Sequence, residues 1–132
     1  MRIRSRLAVL ALCCVAALSP TACAPEVSGP ASPIAGNLPA GDMLYQVNYF
    51  SPLICAPVGT KVRVDVSGNE HPAATKLMTD GDFGLAGVVY LQVGGDSTTL
   101  TTTTNCWSVF IAHADFAGLH GDDLDYVITW PV

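Results

Sequence analysis

An all-β fold, an antiparallel sandwich of six to seven short strands with one disulfide, is predicted by three observations. Apolar and polar residues alternate at a period of two from residue 43 onward, turn-forming Gly, Asn and Asp separate the alternating runs, and no helical stretch is long enough to cover a sheet. About ninety residues patterned in this way bury a core only by stacking sheet on sheet or by closing a barrel.

Residues 1–23 read as an export signal. Arg2, Arg4 and Arg6 precede an apolar run over 7–18, and small residues then lead to Cys23. Twelve apolar residues span only about 18 Å as a helix, well short of a hydrocarbon core of roughly 30 Å. Thr21-Ala22-Cys23 resembles the end of the box at which bacterial lipoproteins are cut and lipidated on cysteine, with Pro20 where that pattern prefers leucine or a similar residue. Cleavage after Ala24 would instead leave Pro25 behind the cut, which hinders a signal peptidase. Lipidation of Cys23 is one expectation, and free secretion with loss of Cys13, Cys14 and Cys23 is the other. The richness in Ala, Gly, Val, Thr and Asp, with only two lysines, resembles exported proteins of high-GC actinobacteria.

Residues 24–41 interleave Pro25, Pro30, Pro33 and Pro39 with Ser28, Gly29, Ser32 and Gly36. Proline removes a donor and fixes φ while glycine loosens the chain, so the segment is expected to be an extended tether. The folded domain is then expected over 42–132.

In 43–50, Met43, Tyr45, Val47 and Tyr49 share one face and Gln46 and Asn48 take the other. The run 60–66 alternates more sharply, with Val62, Val64 and Val66 inward and Lys61, Arg63 and Asp65 in water. Runs 87–93, 98–103, 106–112 and 125–130 complete six strands rich in β-branched and aromatic residues. Gly94-Gly95-Asp96 signals a hairpin turn, because glycine accepts positive φ without steric cost. Only 112–119 could make a helical turn or two, limited by Gly118 and Gly121. Six threonines fall within 98–104, the composition of a strand half-exposed on both faces and resistant to edge aggregation.

The architecture resembles the immunoglobulin-like sandwich. Immunoglobulin domains place a tryptophan between two cysteines and a tyrosine two residues before the second. Here Trp107 follows Cys106 and Thr104 holds the tyrosine position, so the likeness is of architecture and transfers no functional residue.

Export discards three of the six basic residues and none of the eleven acids, leaving three positive against eleven negative charges, a net of −8. Nucleic acid is excluded as a partner, since phosphate binding needs clustered Lys and Arg. Attraction to anionic lipid is disfavoured for the same reason, so membrane contact is expected only through a lipid on Cys23. Cys55 and Cys106 are the thiols left in the folded region, and an oxidising compartment favours their pairing.

No nucleophile elbow of the form Gly-x-Ser-x-Gly occurs, no Asn-x-Ser/Thr acceptor occurs, and Asp80-Gly-Asp82 lacks the later ligands of a calcium loop. The densest chemistry lies near the C-terminus, where His113, Asp115, His120, Asp122, Asp123 and Asp125 fall within thirteen residues. Imidazole and carboxylate suit zinc or copper, and His71 could complete a set of three histidines. The segment 59–71 resembles the cupredoxin strand and loop that lead to the first copper histidine, here His71. That family then brings a cysteine and a second histidine close together, whereas Cys106 and His113 stand seven residues apart. The expectation is an exported protein of the cell envelope that binds a protein or a small ligand, with no cofactor and no catalytic residue. The alternative class is a small metal-binding protein using His71, His113 and His120 with Asp115 and Asp122, and the third is an envelope enzyme.

Overall fold

The structure, a computed structural model, describes residues 27–40, 48–79, 84, 86–114 and 123–132. The export signal and Cys23 lie outside the described residues, as do Asp115, His120 and Asp122.

Nine antiparallel strands are present among the described residues: β1 (Ile34–Leu38), β2 (Asn48–Phe50), β3 (Ile54–Cys55), β4 (Lys61–Ser67), β5 (Ala73–Met78), β6 (Val89–Leu91), β7 (Asp96–Thr101), β8 (Cys106–His113) and β9 (Leu124–Thr129). They form two sheets, one ordered β1-β9-β4-β7 and the other β2-β8-β5-β6 with β3 also paired to β8. The fold is a β-sandwich, as the alternation predicts. Val62, Val64 and Val66 of β4 and Leu124, Tyr126 and Ile128 of β9 point inward from the first sheet and meet Trp107, Val109 and Ile111 of β8 from the second. Each such aliphatic side chain contributes roughly 1.5–3 kcal/mol by leaving water. Tyr126 stacks on Tyr49 across the sandwich, ring centroids 4.6 Å apart. Burial, and then the neighbouring Tyr49, pushes its phenol up to about 12.

Three strands are additional to the six read from sequence. β1 lies inside the expected tether, where it pairs with β9 from Ile34↔Ile128 to Leu38↔Leu124 and buries Leu38. The expected boundary at residue 42 is therefore displaced: 27–40 belongs to the domain. The physical reason is a cross-strand fit, Gly36 opposite Tyr126, where an added Cβ would come within 2.7 Å of the tyrosine Cζ. β5 shows no alternation, because Ala73, Ala74, Thr75 and Lys76 are all buried. β3 has two residues and is defined by its pairing with β8.

The turn at Gly94 and Gly95 forms with positive φ at both, but it does not make a hairpin. β6 pairs with β5 and β7 with β4, so the turn carries the chain from one sheet to the other. The expected helical turn at 112–119 is corrected at its start, since Ala112 and His113 extend β8. The disulfide is formed, with Cα atoms 4.1 Å apart. It links β3 and β8 within one sheet rather than joining the two.

Candidate functional site

Strand order places two sets of loops at opposite ends of the sandwich. One end gathers residues 27–33, 51–60, 101–106 and 130–132 together with the connection from β5 to β6, which leaves at Met78 opposite Ser108, and is called here the disulfide end. It holds an apolar cleft of about 440 Å³, lined by Val27, Pro30, Ala31, Ser32, Ala56, Pro57, Thr60, Trp130 and Pro131. That volume lies within the range of small-molecule sites.

Backbone pairing builds the walls. Ser28 and Cys55 exchange hydrogen bonds of 3.0 and 2.9 Å, so the N-terminal segment runs beside β3. Gly29 permits this approach: its φ is +108°, and a Cβ there would lie 2.6 Å from the carbonyl oxygen of Leu53. The Trp130 amide donates to Ser32 Oγ at 2.9 Å, fastening the exit of β9 to the same segment. Across the cleft, Gly59 donates to the Thr102 carbonyl and Thr102 to that of Thr60, at 2.9 and 3.0 Å. The Trp130 ring is nearly buried and packs edge-on against Trp107, centroids 6.0 Å apart. Buried Trp107 Nε1 has no hydrogen-bond partner among the described residues.

The lining fixes what the cleft can do. Three of its residues are prolines, which offer no backbone donor, and its two hydroxyls are already engaged, Ser32 Oγ accepting from Trp130 and Thr60 Oγ1 donating to the Pro57 carbonyl. No lining side chain titrates, so the cleft supplies neither a general acid nor a base. It suits an apolar group.

The opposite end is acidic and polar. The Asp96 carboxylate accepts the amides of Gln92 and Ser97 at 2.9 and 2.8 Å, which holds it below its ordinary value of 3.8. Asp123 accepts the Ala40 amide at 2.7 Å, and Asp125 the Asn37 side chain at 3.0 Å. Asn69 is buried and its Nδ2 donates to the carbonyls of His71 and Gln92, both at 2.9 Å, while its Oδ1 has no partner among the described residues.

The residues expected from sequence for a metal reading divide. His113 ends β8, is buried, and its Nε2 donates to the Pro39 carbonyl at 2.9 Å, a bond that ties it to the chain after β1. His71 is half-buried in the loop before β5. Among the described residues no three His, Cys, Asp or Glu side chains come together as a metal site. The cupredoxin likeness fails on geometry: Cys106 is bonded to Cys55, and the eight-residue strand β8 holds it about 23 Å from His113.

Sequence reasoning missed the cleft. Its walls come from 27–33 and 56–60, segments of Pro, Gly, Ser and Ala whose composition signals only loop, and the one visible cue is a large aromatic, Trp130, at the end of the last strand. Compared with models of protein families, with curated proteins and with solved structures, the chain matches none.

Proposed function

We propose that this is an exported protein of the cell envelope that works by binding, and that the cleft at the disulfide end receives an apolar ligand. The carrying observation is the cleft itself: hydrocarbon walls, engaged hydroxyls and a tryptophan floor form a concave site that gains affinity by excluding water. Export is supported by the layout of residues 1–23 and by the disulfide, which an oxidising compartment sustains. The test is titration of the mature protein with the apolar fluorophore phenylnaphthylamine. Saturable uptake at one site is expected, and Ala31→Trp, at an exposed lining position, fills the cleft and abolishes it while the thermal transition is kept. Uptake unchanged in A31W removes the cleft from the function. Mass spectrometry of the mature N-terminus reads the export route, with a diacylglyceryl group on Cys23 expected for a lipoprotein.

A further inference from the structure

We propose that the disulfide end faces the membrane and that the apolar group entering the cleft is an acyl chain of a bilayer lipid, a reading that rests on Cys23 being the lipidated residue. The described fold begins at Val27 on the rim of the cleft, because Ser28 already exchanges backbone hydrogen bonds with Cys55. Four residue steps therefore separate Cys23 from the rim, a reach of about 14 Å at full extension. The longest strand, β8, has eight residues. It makes the sandwich about 26 Å tall, so the acidic end lies beyond that reach. A free tether over 24–41 would have allowed any orientation; the pairing of Ser28 and of β1 removes that freedom.

The chemistry of the surface agrees with the reach. Val27, Leu53, Val58 and Val132 are each more than half exposed, and all belong to this end. Val132 is placed there by its amide, which donates to the Lys61 carbonyl, and Val58 by the turn between β3 and β4. The residues that line the cleft include no acid and Glu70, Asp96, Asp123 and Asp125 sit at the other end, while Glu26 precedes the rim and Asp80 and Asp82 belong to the connection that leaves β5 on this side, at Met78 opposite Ser108. A bilayer accepts exposed aliphatic side chains, and these rather than the distribution of acids favour this end as the seat. A cleft with no free charge and few free donors gives hydrocarbon nothing to desolvate.

The test uses the full processed protein reconstituted in phosphatidylcholine vesicles whose acyl chains are brominated near the headgroup, a short-range quencher of tryptophan. The expected result is flotation with the vesicles together with loss of the emission that Trp130 supplies. Trp130→Phe removes that loss, whereas Trp107→Phe keeps it. Val27→Asp with Val58→Asp is expected to leave the protein anchored but restore the emission. Protein that floats through Cys23 yet shows no quenching overturns the membrane seat and leaves the lipoprotein reading standing; if it is also a dimer that V58D dissociates, a second copy covers this end instead. Protein whose Cys23 carries no lipid and which does not float overturns both.

Discussion

The two ends of the sandwich are closed by different physics. At the disulfide end the chain is fastened by a covalent bond, the Ser28–Cys55 bridge and apolar packing around Trp130, with no carboxylate among the residues that line the cleft. At the other end the same two sheets are held by directed polar bonds, from Asn69 to two carbonyls, His113 to Pro39, and backbone amides to Asp96 and Asp123. The difference separates two sensitivities. Reductant and apolar ligands act on one end, and pH acts on the other.

The largest expected effect comes from removing the covalent tie. Replacing Cys55 and Cys106 together by alanine opens a loop with a sequence separation of 51 and is expected to cost up to about 4 kcal/mol in urea denaturation, through the unfolded chain's regained entropy. The loss should be local before it is global. Amide protection at Ser28 and at position 55 is expected to fall further than at Gly94, whose amide bonds to the Asn69 carbonyl at the other end. Uniform loss would mean that the ends are not independent.

Next in size is the polar tie. Asn69→Ala removes the two hydrogen bonds that its side chain donates to the carbonyls of His71 and Gln92 and is expected to cost about 1–3 kcal/mol. Asn69→Asp should cost more, because it sets carboxylate oxygen against the same two carbonyls. If N69D is instead as stable as N69A, the two hydrogen bonds are not what holds this loop. Phenylnaphthylamine uptake should survive both variants, since the cleft lies at the far end.

The two ends were unequally legible in the sequence. β4 was readable because Val62, Val64 and Val66 alternate with solvated neighbours, and the cysteine pair was readable by elimination. β1 was not, because its place depends on Gly36 fitting beneath Tyr126, a partner ninety residues away that leaves no local mark. β5 was not, because a strand buried on both sides loses the period of two, and Lys76 within it looks solvated although its Nζ donates to the Gly84 carbonyl at 2.8 Å. The histidines suggest metal chemistry in the sequence only because proximity along the chain says nothing of direction: His113 is turned to Pro39. The cleft is assembled from three loops, each unremarkable alone.

The smallest expected effect is the pH response of the acidic end. Asp96 takes two backbone amides, and these bonds favour its charged form, so its folded pKa lies below the 3.8 of the unfolded chain. Its contribution to stability is therefore complete above 3.8 and is lost as pH falls through the folded value, when the proton displaces the amide bonds. Asp96→Asn should flatten the fall in urea midpoint over that acidic window while changing little at neutral pH, because an amide oxygen keeps one of the two acceptors without a charge to titrate. The site is open to solvent, so the difference in midpoint is expected to be slight. Hydrogen exchange gives the sharper reading: on acidification, protection of Gln92 and Ser97 should drop relative to Cys55 and Ala56, which have no carboxylate near them in the chain. Equal drops at both ends, or a D96N protein with the wild-type slope, would show that acid acts on the sandwich as a whole and not through its polar end.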